Sequence, residues 1–201
     1  MGNEQYEGFI RISTILDYFT ERQLVEWMIK HGKDSKRMSK QATKVGTEVD
    51  QAIKQFVAFG TYGKVKTVEA NSCLEGFKRW YEDYNPVLTI GKRLFSDDLK
   101  LTGEPDLYWN SRILDIKCAS AIRPKYHLQT AAYAMMDGKD ATGILRLHKQ
   151  LEDYEYIERN DVEVDDDKET FLYMLRVFRY FNKPLMAAGD KNADNPSDNS
   201  L

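Results

Sequence analysis

Apolar residues recur at three- and four-residue spacing through the first 84 positions of the chain, and from Val87 onward they gather in runs too short for helices. Ser13 stands before a periodic run from Thr14 to His31, with Ile15, Leu16, Phe19, Leu24, Trp27 and Met28 apolar and Gly32 as a C-terminal stop. The pattern predicts one amphipathic helix there. A second helix is expected from Asp34 to Phe59, basic in its early turns and apolar at Val49, Ile53, Phe56 and Val57. Gly46 interrupts it at a cost of about 1 kcal/mol relative to alanine, so close packing or backbone approach is the expected reason for it. After the turn-rich Gly60 to Gly63, a third helix runs from Val68 to Tyr84 and is closed by Asn85-Pro86.

The β-prone runs are Val87–Ile90, Leu99–Trp109 and Arg112–Ala119, separated by turns at Ser96-Asp97-Asp98 and Asn110-Ser111, and they predict an antiparallel meander. Pro124 opens a helix reaching Met136, which Asp137-Gly138 ends. Thr142–Lys149 and Tyr154–Glu158 read as two further strands, and Lys168–Phe181 as a final helix bearing Phe171, Leu172, Met174, Leu175 and Phe178. The stretch from Ala187 to Leu201 is polar and expected to be disordered, leaving residues 1–186 as a single domain without internal repeats. Helices, strands, a helix and strands again make the chain α/β.

A hydrophobic content of 42% over 201 residues supports one sizeable core. The apolar runs fall well short of the roughly 18 residues of a membrane span, and the opening MGNEQYEG lacks the layout of a secretory signal, so a cytoplasmic protein without membrane contact is expected. Cys73 and Cys118 alone cannot build a thiolate zinc site or an iron–sulfur cluster and read as free thiols. The net charge of −3 is unevenly spread: residues 1–150 carry 23 Lys and Arg against 19 Asp and Glu, whereas residues 151–170 hold ten acids against Arg159 and Lys168. Overall acidity therefore leaves room for a basic face that meets phosphates.

The chemistry gathers in Gly103-Glu104-Pro105-Asp106, in Asp115-Ile116-Lys117 nine residues on, and in Gln129 and Tyr133 four residues apart. Asp106 and Asp115, separated by a short hairpin, are suited to share one divalent cation, and Lys117 emerges on the same strand face as Asp115. Mg2+ or Mn2+ takes oxygen ligands from one or two carboxylates and keeps its other positions for water and phosphate, which is what phosphodiester hydrolysis requires. Lys117 supplies a compact positive charge for orienting water or stabilising the transition state. Gln129 and Tyr133 lie one helical turn apart and share a face. Glu104 reads either as a supporting group or as a solvated acid.

This ordered set resembles the PD-(D/E)XK nuclease superfamily, which Pro105-Asp106 and Asp115-Ile116-Lys117 match literally. Gly46-Thr47-Glu48-Val49-Asp50 and Gln129-Thr130-Ala131-Ala132-Tyr133 look like the RecB-type exonuclease branch, which includes phage recombination and mitochondrial genome maintenance exonucleases. The resemblance spans residues 10–150 and implies a restriction-endonuclease-like core, a mixed central sheet flanked by helices. It implies a Mg2+- or Mn2+-dependent deoxyribonuclease, an exonuclease in recombination, repair or phage DNA processing, in the cytoplasm of a bacterial or phage-infected cell. Asp106 and Asp115 would be metal ligands, with the main-chain carbonyl of Ile116 completing the site and Gln129 and Tyr133 holding the lysine and the DNA backbone. The branch commonly places a histidine where this chain has Asp50, so Asp50 is either an oxygen ligand in its stead or a helix-surface acid. The cysteine set of the cluster-bearing relatives is missing.

Lys33, Lys36, Arg37, Lys40 and Lys44 form a basic stripe leading toward Gly46 and Asp50, read as a DNA contact or a solvated face. Trp80, Tyr81 and Tyr84 are expected in helical core packing rather than base stacking, and His127 is expected to be structural. The rival readings are a structure-specific endonuclease and a catalytically inactive nuclease-fold module. For the module, the acidic 151–170 block would dock a protein partner or another copy of the chain.

Overall fold

The computed structural model describes residues 8–19 and 22–182. It opens with a two-residue strand, β1 (Ile10–Arg11), that runs directly into α1 (Ile12–Tyr18). Ser13 therefore lies inside the helix, with Arg11 in extended conformation at its N-cap. The single helix expected from Thr14 to His31 is two: Phe19 leaves helical geometry at φ −94° and ψ 80°, and α2 (Arg22–His31) follows. Periodicity spans both because each has an apolar side, but Ile12, Ile15 and Leu16 are buried whereas Met28 and Ile29 of α2 face solvent.

The next two helices match the expected bounds. α3 (Asp34–Phe59) ends on Gly60 at φ +73°, a left-handed position that glycine adopts without strain, and Gly60 N–H returns to the Phe56 carbonyl. α4 (Val68–Tyr84) begins on Thr67, whose hydroxyl accepts from the Ala70 N–H, and closes at Asn85. Gly46 does not serve close packing, because a Cβ placed there would meet nothing within 4 Å.

The strand region departs from a simple meander. β2 (Leu88–Ile90), β3 (Leu94–Ser96), β4 (Leu101–Gly103), β5 (Leu107–Trp109) and β6 (Arg112–Lys117) divide between two sheets. The run expected as one strand from Leu99 to Trp109 is broken at Glu104-Pro105, since proline has no N–H to continue a ladder. β3, absent from the sequence reading, pairs antiparallel with β4 around the expected turn, and β1 joins β4 in parallel to complete a three-stranded sheet. β2, β5 and β6 are antiparallel neighbours in a second sheet.

α5 (Pro124–Asp137) carries the chain back so that β7 (Thr142–Leu147) lies parallel to β6, and β8 (Tyr154–Arg159) closes the five-stranded sheet in the order β2-β5-β6-β7-β8. The final helix, α6 (Asp161–Phe181), starts seven residues before the expected Lys168. Asn160 and Glu163 form a capping box, and the acids of the first turns sit at the positive end of the helix dipole, so the acidic block initiates the helix instead of preceding it. The polar stretch from Ala187 falls outside the described residues.

Two cores sandwich the five-stranded sheet. Ile113 with Ile12, Ile15, Ala131, Tyr133, Phe171 and Leu175 forms one beneath α1, α5 and α6. Leu107, Leu114, Leu145 and Leu147 with Ile53, Phe77 and Trp80 form the other beneath α3 and α4. This mixed central sheet flanked by helices is the α/β architecture expected. Trp80 is fully buried among the rings of Phe77, Tyr84, Trp109 and Tyr156, in keeping with its expected packing role. Among the described residues no helix is long and apolar enough to cross a membrane.

Candidate active site

The β5–β6 hairpin aligns Leu107 with Leu114. Antiparallel register therefore sets Asp106, one step before Leu107, across from Asp115, one step after Leu114. Side chains alternate along β6: Ile113 enters the α5 core, Leu114 and Ile116 the opposite core, and Asp115 and Lys117 return to the α5 side. The Ile116 N–H donates to Asp106 Oδ2 at 2.8 Å, which fastens the first carboxylate to the strand that carries the second. Lys117 Nζ stands 2.5 Å from Asp115 Oδ2 and 5.3 Å from the centre of the Tyr126 ring. On α5, Gln129 Nε2 donates to Tyr133 Oη at 3.0 Å.

Asp106, Asp115, Lys117, Gln129 and Tyr133 line one cavity of about 280 Å³ with Glu104 and Gly103. Arg11, Ile12, Ser13, Arg93 and Thr102 complete its wall, and sequence reasoning placed none of the five at the site. Arg93 pairs with Glu104 at 2.7 Å, so Glu104 stands in the cavity wall in an ion pair while its side chain stays partly exposed to solvent. No local signal links them; strand pairing across the β3–β4 hairpin sets them together. Gly103 is needed for close packing and not for backbone freedom: an added Cβ would lie 2.4 Å from Tyr133 Cε1 and 3.1 Å from Ile12 Cδ1.

Burial dominates the electrostatics. Asp115 is 2% exposed, and desolvation lifts its carboxyl to about 7, assisted by the Asp106 charge and opposed by Lys117. Burial works to neutralise Lys117, but the Asp115 and Asp106 charges outweigh it and hold the ammonium above its ordinary value. Burial likewise pushes the Tyr133 phenol up to about 12, with the Asp115 charge adding to it, so Tyr133 keeps its proton.

Asp50 stands apart from this group. It lies on α3, ion-paired with Lys54 at 3.1 Å, and does not line the cavity. Burial raises its carboxyl, and the next largest contribution is the charge of Asp106, so it still senses the site. Among the described residues, no three His, Cys, Asp or Glu side chains come together as a set that could hold a metal ion. The donor set is two facing carboxylates beside the Ile116 main chain, that of Asp106 accepting the Ile116 N–H and that of Asp115 buried with Lys117 Nζ against its Oδ2. A hard cation that retains water and phosphate ligands needs no more than one or two carboxylates, so the residues fit Mg2+ or Mn2+.

Lys36, Arg37, Lys40 and Lys44 are exposed on the first half of α3, with Arg37 paired to Asp34 at 3.2 Å. His127 is buried and accepts from Arg159 Nε at 3.3 Å, in keeping with a structural role. Among the described residues, five of the ten acids in the 151–170 block bind cations of this same chain: Glu155 pairs with Arg146, Glu158 with Arg112, Glu163 and Asp167 with Arg159, and Asp165 with Lys168. Cys73 and Cys118 are free thiols that touch in the α3/α4 core.

No family model and no curated protein matches the chain. Among solved structures it is similar to an alkaline exonuclease from Laribacter hongkongensis, at 15% identity and a TM-score of 0.44 over 92% of this chain and 99% of that one. It is also similar to a phage-related exonuclease from Haemophilus somnus 129PT, at 15% identity and a TM-score of 0.46 over the same shares. Identities and scores this low leave the site to be judged on its own geometry.

Proposed function

We propose that this protein is a Mg2+- or Mn2+-dependent deoxyribonuclease, acting as an exonuclease in recombination, repair or phage DNA processing. The observation that carries the reading is the placement of Asp106, Asp115 and Lys117 on one cavity wall with Gln129 and Tyr133 beside them. Asp106 and Asp115 would hold the cation, with the Ile116 carbonyl as a further oxygen and Asp50 contributing negative charge from α3. When bound, the cation would polarise a phosphoryl oxygen and stabilise the charge that develops on it.

The chain's own groups supply the rest. Lys117 stays protonated between two carboxylates, so it serves as a fixed positive charge that orients the attacking water and offsets charge on the phosphoryl group, not as a base. Tyr133 accepts from Gln129 and keeps its own O–H to donate toward the phosphate, and this pair holds the α5 side of the cavity at a set distance from Lys117. Lys36, Arg37, Lys40 and Lys44 would bind backbone phosphates outside the cavity.

The test is cleavage of end-labelled single- and double-stranded DNA in Mg2+, Mn2+ or EDTA by the wild type and by Lys117→Ala. Metal-dependent shortening from an end, lost in the variant, is expected. Absence of cleavage under every metal with DNA binding retained would sink the catalytic reading.

A further inference from the structure

Cys73 and Cys118 are the two cysteines of the chain, and the fold sets them side by side behind the active site. Side chains alternate along β6 and just past it, so Leu114, Ile116 and Cys118 enter the α3/α4 core while Lys117, between the last two, faces the active-site cavity. Cys73 stands on α4, fully buried in that same core, with its thiol donating to the Leu147 carbonyl at 3.6 Å. The parallel register of β6 and β7 sets Lys117 beside Arg146, so Cys118 comes level with Leu147 and the two thiols touch. Resting on the nuclease reading above for its effect on cleavage, we propose that Cys73 and Cys118 are a peroxide-reactive pair whose disulfide draws Lys117 out of the active site.

Cys118 is half-buried, so a water-sized oxidant such as hydrogen peroxide arrives on its side of the pair. Cys73 is the readier nucleophile: the hydrogen bond from Cys118 lowers its thiol in spite of burial, and the charge of Lys149 adds to the effect. The Cys73 sulfur attacks one peroxide oxygen, the O–O bond breaks, and the departing hydroxide leaves as water with the proton of the thiol. Cys118 then attacks the sulfenic acid on Cys73; an S–S bond forms, the S–O bond breaks and a second water departs. Two thiols and one peroxide thus give one disulfide and two waters, and a thiol reductant reverses the change.

The bond has a mechanical consequence. A disulfide holds its sulfurs about 2.05 Å apart, closer than two thiols in contact, so one partner has to move. Cys73 is held in place, because its neighbour Ser72 donates to the His148 carbonyl at 3.0 Å and accepts the Glu152 N–H at 2.9 Å, and Gly76, one turn on, is packed against the Asp153 main chain. Cys118 opens the loop between β6 and α5 and lacks such ties to a helix or strand partner beyond β6. The movement therefore falls on Cys118, toward α4, and carries the Lys117 main chain away from α5. The ammonium of Lys117, 2.5 Å from Asp115 Oδ2 in the reduced protein, is withdrawn with it. A displacement of about 1 Å in a positioned group costs about 100-fold in rate.

The experiment treats the reduced protein with hydrogen peroxide, removes the oxidant, and reads the thiols by peptide mass and the activity by DNA cleavage in Mg2+. The proteins are the wild type, Cys118→Ser and Cys73→Ala, the second variant guarding against a fold that tolerates only one of the changes. The wild type should lose both thiols to a bond within one chain, and dithiothreitol should restore them. Cys118→Ser should stop at a sulfenic acid on Cys73, which dimedone traps. Wild-type cleavage should fall about 10- to 100-fold on oxidation and recover on reduction, whereas both variants should cleave equally before and after peroxide. Two thiols that survive peroxide, or that oxidise separately without a cross-link, overturn the pair. A disulfide that leaves the rate unchanged overturns the link to Lys117. The thiol map keeps this apart from the catalytic reading: a disulfide formed in a protein that cleaves no DNA even when reduced supports the pair and overturns the nuclease.

Discussion

The carboxylate of Asp106 accepts the main-chain N–H of Ile116 at 2.8 Å, across the hairpin that joins β5 to β6. One oxygen of the first carboxylate is thus spent on orientation, and the group is held facing Asp115. Asparagine at this position retains an acceptor for the N–H, whereas alanine leaves the N–H without its partner. Asp106→Asn should therefore melt close to wild type in EDTA and Asp106→Ala should lose about 1 kcal/mol. Both should lose the thermal shift that Mn2+ gives the wild type. A full Mn2+ shift in Asp106→Asn would remove Asp106 from the metal site.

Tyr133→Phe deletes one hydroxyl and leaves the ring against Gly103 and Ile12. Stability should stay within about 0.5 kcal/mol of wild type. Cleavage should fall about 10- to 100-fold, the worth of one hydrogen bond to a charged group. Steady-state rates beside a denaturation curve check both; a fall in stability without a fall in rate would make Tyr133 structural.

Metal binding should strengthen as pH rises through neutrality. Burial lifts Asp115 from 3.8 to about 7, so below that pH a cation must displace a proton from it. The sign for the metal-free protein is the opposite: a carboxyl raised above its unfolded value contributes stability below that value and loses it as pH climbs toward about 7. Thermal midpoints in EDTA and in Mn2+ should therefore diverge from pH 5.5 up to about 7 by about the tenfold in affinity per unit that one displaced proton produces, and hold a constant separation from there to about pH 8. Equal metal shifts at both ends of that range would show that Asp115 is already ionised.

Gly103→Ala should be damaging although no left-handed backbone is involved. The new methyl would sit 2.4 Å from the ring of Tyr133, itself 5% exposed and unable to swing into solvent. Overpacking of this kind costs about 1–3 kcal/mol and would move Tyr133 off its Gln129 partner. A denaturation curve with cleavage rates checks both; wild-type stability and rate would refute the packing account.

Gly46→Ala should do the reverse. Nothing lies within 4 Å of its added Cβ, and the position is inside α3, so alanine should stabilise by about 1 kcal/mol. A lower melting temperature, or lost DNA binding, would reveal a backbone approach at Gly46 that only the bound state makes.

Much of this arrangement was legible from local spacing. The bounds of α3 and α4, the strand through Asp115 and Lys117 and the shared face of Gln129 and Tyr133 follow from periods of 3.6 and 2, which depend only on near neighbours in the chain. The tertiary structure decided what those periods cannot encode. Pro105 ends one ladder, and just past Asp106 the chain enters a different sheet from Gly103's at Leu107; Glu104 finds Arg93, eleven residues back, only through strand pairing. Asp50 bonds Lys54 and stays outside the cavity, and Glu155, Glu158, Glu163 and Asp167 are taken up by Arg112, Arg146 and Arg159, because β8 and α6 pack beside the strands that carry those cations. Which side chains the sequence by itself placed on a common face was a matter of backbone period; which of them meet was decided by sheet register and helix packing, where partners distant in the chain compete for the same space.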